Sequence, residues 1–114
     1  MANIADNLIY FRVTTRDEMK AVHDFMEGNF ESYSDPMGPD DDVEYPYQVE
    51  FNFDSKWGIP LSVLESFSEA NPTISWNITS NEPGNGYMAM AYFDAHEDNW
   101  FEETRIQGAG HNLR

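Results

Sequence analysis

Apolar and polar residues alternate in three stretches of this chain and fall at helical spacing in two others. Ile9, Phe11 and Val13 alternate with Tyr10 and Arg12, the period of a short strand with one apolar face. Thr15-Arg16-Asp17-Glu18 follows, a capping box in which the Thr15 hydroxyl and the Glu18 carboxylate satisfy free amides at a helix start. Met19, Val22, Phe25 and Met26 then recur at helical spacing and predict an amphipathic helix over residues 16–28, stopped by Gly28. From Asn29 to Glu44 no period persists, and Pro36, Gly38 and Pro39 break the chain. This predicts a long acidic loop, of a length usually kept for function or motion.

The clearest strand comes next. Tyr45, Tyr47, Val49, Phe51 and Phe53 point one way, and Gln48, Glu50, Asn52 and Asp54 the other. Pro60 suits the first turn of a second helix that carries Leu61, Val63, Leu64 and Phe67 and stops at Asn71-Pro72. Ile74, Trp76 and Ile78 alternate with polar neighbours as a third strand. Glu82-Pro83-Gly84-Asn85-Gly86 is a turn, and the apolar run Tyr87 to Phe93 is a fourth strand that closes a hairpin. Residues 94–107 are ambiguous: Trp100 and Phe101 favour burial, whereas Glu97, Asp98, Glu102 and Glu103 favour water. Residues 108–114 read as a frayed tail.

The order β-α-β-α-β-β, with strands apolar on one face, predicts one α+β domain over residues 1–114. Its architecture is a ferredoxin-like sandwich with two helices on one face of a mainly antiparallel sheet. A further strand at 29–44 or 99–107 completes that arrangement. A composition of 40% hydrophobic and 15% aromatic residues supports a packed core. Cysteine is absent, which excludes disulfides and thiolate metal or redox sites. The N-terminus lacks the basic and apolar regions of a signal peptide, and no apolar run approaches the ~20 residues of a membrane span. The expectation is a cytoplasmic protein of a bacterial host cell.

Two groups of residues resemble a known family. One is Asn3-Ile4-Ala5-Asp6-Asn7-Leu8 before the first strand and helix. The other is Phe53-Asp54-Ser55-Lys56-Trp57-Gly58-Ile59-Pro60, followed by Ser68-Glu69-Ala70-Asn71-Pro72 and Glu82-Pro83-Gly84-Asn85-Gly86. Over residues 3–93 the chain resembles the YubB-like ferredoxin-like proteins. It departs from them by lacking an aromatic-Cys pair near the N-terminus and by a shorter segment before residue 45. The resemblance implies a ferredoxin-like fold and carriage on plasmids and bacteriophages. It implies no activity and no catalytic residues.

Candidate chemistry is sparse. His23, His96 and His111 are scattered surface positions without a nucleophile-base-orienter pattern. No glycine-rich phosphate loop or zinc-protease motif occurs. Asp40, Asp41, Asp42 and Glu44 are hard oxygen ligands, but an EF-hand loop starting at Asp40 would need Gly at Tyr45 and Glu at Phe51. We therefore expect no catalytic residues, no cofactor and no metal site. Nucleic-acid binding by the open sheet face is also set aside, because Glu50, Asp54, Asn77 and Thr79 offer the wrong charge there.

Charge is the remaining signal. The chain has 21 acidic and 6 basic residues, a formal charge of −15. Ten of those acids lie between Lys20 and Lys56 with no base among them. Such a polyanion repels nucleic acids and anionic membranes, and suits a partner with a basic groove. Asp24, Glu27 and Glu31 fall at i, i+3 and i+7, one helical stripe that Asp35, Asp40, Asp41, Asp42 and Glu44 extend through the loop. The expectation is a non-enzymatic mobile-element protein that inhibits a host nucleic-acid-binding defence complex as a DNA mimic, of anti-CRISPR or anti-restriction type. Tyr33 and Trp57 border the tract as candidate contacts. The alternative is an accessory protein that binds through aromatic and apolar surface, with a homodimer formed by edge-strand pairing and an acidic face kept for solubility.

Overall fold

The computed structural model describes residues 4–30, 33–34, 36–56, 58–82, 87–96 and 99–107, with Tyr87 and residues 99–107 described by backbone. The elements in chain order are β1 (Ile4–Val13), α1 (Arg16–Asn29), β2 (Tyr47–Lys56), α2 (Leu61–Ala70), β3 (Ser75–Glu82), β4 (Tyr87–Asp94) and β5 (Asn99–Gln107). They form an antiparallel five-stranded sheet in the order β2-β1-β3-β4-β5. The expected α+β sandwich is present. Because β2 and β3 both run against β1, α2 joins two parallel strands across an inserted one, the split βαβ unit of ferredoxin-like sandwiches. The order differs from that arrangement in the direct pairing of β1 with β2 and in the β3-β4-β5 meander. The ambiguous segment supplies β5, the second of the two positions considered for an added strand.

Both helices cover one face of the sheet. Ile9, Phe11 and Val13 of β1 and Val49, Phe51 and Phe53 of β2 project into the same core as Trp76, Ile78, Ala91 and Phe93. Met19, Val22 and Met26 of α1 and Leu64 and Phe67 of α2 close it. Phe11 lies at the centre of an aromatic cluster, edge-on to Phe25, Phe51 and Phe67 at 6.1, 6.0 and 5.4 Å. The indole Nε1 of Trp76 donates to Ser68 Oγ at 2.8 Å, so the polar atom of a buried ring is satisfied from α2.

The start of α1 departs slightly from the expected capping box. The Glu18 amide donates to Thr15 Oγ1 at 3.1 Å, but the Glu18 carboxylate accepts from the amide and hydroxyl of Thr14 at 2.7 and 2.9 Å. Its second oxygen accepts from the Thr73 hydroxyl at 2.5 Å, which ties the helix start to the entry of β3. At the other end Gly28 is helical and the chain leaves at Phe30, whose amide donates to Met26 O at 3.0 Å. Pro60 is the N-cap of α2, one position before the first turn.

The β1–β2 pairing dictates the longest irregular segment. Val13, the last residue of β1, lies opposite Tyr47, the first of β2. The chain must therefore return to the end of the sheet it left. The 14 residues of α1 carry it about 20 Å away at ~1.5 Å per residue, and residues 30–46 bring it back. On the return Tyr33 bridges to Phe53, and Ser34 exchanges two hydrogen bonds with Asn52, at 3.0 Å through its amide and 2.9 Å through its hydroxyl. This covers part of the outer edge of β2.

Two measurements test the framework. Phe11→Ala should destabilise the chain by about 3–5 kcal/mol in denaturant unfolding, because it empties the centre of the aromatic cluster. Glu18 offers a pH signature. Burial alone would raise its carboxyl, but the hydrogen bonds from Thr73 and Thr14 outweigh it and hold the group below its ordinary 4.5. A lowered folded value stabilises the fold above pH 4.5 and is lost as pH falls through it. Glu18→Gln should therefore be less stable than the parent at neutral pH, and the gap should close under acid.

Candidate functional site

The acidic tract divides between α1 and the return segment. Asp24 and Glu27 are exposed on α1, and Asp40, Asp41, Asp42 and Glu44 are exposed on the return. Glu31, Asp35 and Trp57 lie outside the described residues, as do 83–86 of the expected turn and the tail 108–114.

The return segment is fastened to α1. Arg16 donates through Nε to Pro39 O at 2.8 Å and pairs through Nη2 with Asp40 at 2.6 Å. His23 Nε2 donates to Met37 O at 2.8 Å, which requires the proton on that nitrogen. His23 is half-buried, with its ring edge-on to Phe51 at 5.2 Å, so it is not the surface histidine that the helix pattern suggested. Asp41 Oδ2 accepts the Gly38 amide at 2.6 Å and closes a local turn. The result is one surface built from a helix and the strap laid against it.

Two of the six described carboxylates on this surface are neutralised locally. Asp40 pairs with Arg16, and Asp24 pairs with Lys20 at 2.9 Å across one helical turn. The bond and charge of Asp24 hold the Lys20 ammonium above its usual value. Among the described residues Glu27, Asp41, Asp42 and Glu44 have no ion pair, and all four are exposed. Glu27 and Tyr33 come together at the far end of α1, where they line a shallow cavity of about 360 Å³ with Phe30. Tyr33 is half-buried, edge-on to Phe51 at 5.8 Å, so it presents one edge to solvent and braces the strap with the other. The described carboxylates form a patch of irregular spacing, because the strap breaks the helical stripe after Glu27. Among the described residues no cluster of three His, Asp or Glu side chains is arranged to hold a metal ion.

The uncovered face of the sheet holds what the sequence reading missed. Besides Glu50, Asp54, Asn77 and Thr79 it carries Leu8, Tyr10 and Arg12 from β1 and Met88, Met90 and Tyr92 from β4. Met88, Met90 and Tyr92 are 40%, 46% and 40% exposed. Tyr10, Arg12, Asn77, Tyr92 and Asp94 line an open cavity of about 410 Å³ there. The alternation of Tyr10 and Arg12 with Ile9 and Phe11 was a usable signal for two of these residues. The unbroken apolar run in β4 hid the others. On the same face Asp6 lies opposite Asp54, and burial, a hydrogen bond that the protonated Asp54 carboxyl donates to Asp6, and the Asp6 charge together raise the Asp54 carboxyl above its ordinary range. Among the described residues no helix is long and apolar enough to cross a membrane.

The Arg16 anchor is testable alone. Arg16→Ala should change global stability by less than about 1 kcal/mol, as expected for an exposed pair. Amide exchange over residues 37–44 should nevertheless accelerate, measured by hydrogen–deuterium exchange mass spectrometry. Exchange that stays unchanged would mean that the strap is held by His23 and the Asp41 turn instead.

No family model, no curated protein and no solved structure matches this chain.

Proposed function

We propose that this chain is a non-enzymatic inhibitor whose α1 and strap surface occupies the basic groove of a nucleic-acid-binding protein. The observation that carries the reading is the fastening of the strap to α1 by Arg16 and His23, which merges two acidic segments into one preorganised surface. A mimic of nucleic acid needs fixed carboxylates, since anchoring avoids the entropy of ordering a free loop on binding. Glu27, Asp41, Asp42 and Glu44 supply the unneutralised charge, and Asp24 and Asp40 are paired with Lys20 and Arg16. Tyr33 adds an aromatic contact at the rim. The resemblance to plasmid and phage proteins gives the setting: a host defence complex such as a CRISPR surveillance complex or a restriction enzyme, met in the bacterial cytoplasm.

A second reading has its own observation. The exposed Met88, Met90 and Tyr92 favour an accessory protein that binds through the open face, with the acidic surface kept for solubility. Salt separates the two, because a phosphate-like contact weakens steeply between ~50 and ~200 mM salt and an apolar one does not.

The test reverses charge on the exposed acids. The triple variant Glu27→Lys, Asp42→Lys, Glu44→Lys should keep its circular dichroism spectrum and lose at least about tenfold in affinity, about 1.4 kcal/mol, for a complex captured from bacterial lysate. Duplex DNA should displace the parent chain from that complex. Affinity unchanged by the triple variant would overturn the reading.

A further inference from the structure

We infer that the open face of the sheet is the interface of a two-fold homodimer, in which β4 of one copy packs over β1 of its partner. The inference goes beyond the inhibitory reading and does not rest on it, because helices and strap lie on the opposite side of the sheet.

Strand register lays the open face out as a grid. Successive rows read Asp54-Asp6-Asn81-Met88, Asn52-Leu8-Thr79-Met90 and Glu50-Tyr10-Asn77-Tyr92, in the order β2-β1-β3-β4. The row at the β1 exit is Gln48-Arg12-Ser75, and Asp94 follows Phe93 at the end of β4 beside it. β3 is the middle strand of the five. A two-fold axis along β3 exchanges the positions of β1 and β4 while keeping each row at its own height. Leu8 then faces the partner's Met90, Tyr10 faces the partner's Tyr92, and Arg12 faces the partner's Asp94. At these three rows the contact is apolar to apolar, ring to ring and cation to anion.

Two further observations select a second copy as the occupant. Four of the five exposed large apolar residues among the described ones, Ile4, Met88, Met90 and Tyr92, lie on this face. Charge selects further. Arg16 and Lys20 are used up in ion pairs on α1, whereas Arg12 and Lys56 have none among the described residues, and both belong to the open face. Arg12, without an ion pair among the described residues, is left for an anion, which the two-fold supplies as the Asp94 of the second copy. The area suffices. Strands about 4.8 Å apart and about 3.3 Å per residue give a five-stranded face of roughly 600 Å² per copy, about 1,200 Å² for the pair, which reaches the range of specific interfaces. Two sheets meeting this way form an aligned sandwich with helices on both outer sides.

The test is a charge swap read by sedimentation equilibrium on the full chain. The parent should sediment at twice 13.2 kDa at micromolar concentration. Met90→Asp, Arg12→Asp and Asp94→Arg should each weaken the dimer by about tenfold or more, and the Arg12→Asp, Asp94→Arg double variant should recover most of that loss. These positions are exposed or half-exposed, and a retained circular dichroism spectrum excludes unfolding as the cause. A monomeric parent overturns the inference. So does a dimer indifferent to Met90→Asp, which would mean pairing through a sheet edge, and so does a double variant no better than its worse single parent.

Discussion

The pairing of β1 with β2 constrains everything else in this molecule. β1 is hydrogen-bonded on both sides, and its Ile9, Phe11 and Val13 are fully buried beneath the helices. Because its first neighbour in sequence runs antiparallel to it, the helix between them cannot deliver the chain to the right place. A return segment as long as α1 becomes obligatory, and it must lie against α1 or the edge of β2. The acidic strap is thus a topological necessity that has been given a charge.

The two faces of the sheet divide the work of a polyanion. On the helix side apolar burial supplies the stability that offsets self-repulsion, with Phe11, Phe25, Phe51 and Phe67 at its centre. On the same side the bases that pair with acids among the described residues, Arg16 and Lys20, hold a strap and a helical turn in place. On the open side Arg12 and Lys56 make no ion pair among the described residues, and apolar side chains are arrayed over β4. The raised Asp54 carboxyl beside Asp6 marks the one described place where like charges meet across strands on that side.

Much of this was legible in the sequence. The alternation in residues 9–13, 47–54 and 74–79, the helical spacing from Met19 to Met26 and the Thr15 cap each appear where the pattern put them. The start of β1 was hidden because its alternation is inverted: Ile4 and Leu8 face outward, while Ala5 and the polar Asn7 are buried. Asn7 is tolerated there because its side-chain amide donates to Ser55 Oγ at 2.9 Å, a contact 48 residues away that no local period reveals. β5 escaped the pattern because its apolar and acidic residues are mixed without a sustained alternation. The anchoring of the strap was equally invisible, since Arg16 and His23 find their backbone acceptors only after the chain has turned back on itself. Acid-rich composition identified the candidate surface, and the i, i+4 spacing of Lys20 and Asp24 already allowed their pair, but the pairing of Asp40 with Arg16 depended on the fold.

The place of β1 in the sheet also sets an order of events. It comes first in chain order among the five strands, yet its hydrogen-bonding partners are residues 47–56 and 75–82. α1, capped by its own neighbours, can form early, whereas β1 must wait with its apolar side chains uncovered until both later strands exist. Loops of this length close slowly, and sheets built from such distant segments fold more slowly than local ones. A chain stalled before β3 is complete would hold β1 without its full second neighbour. In that interval the formal charge of −15 acts through mutual repulsion, which opposes association between unfinished copies.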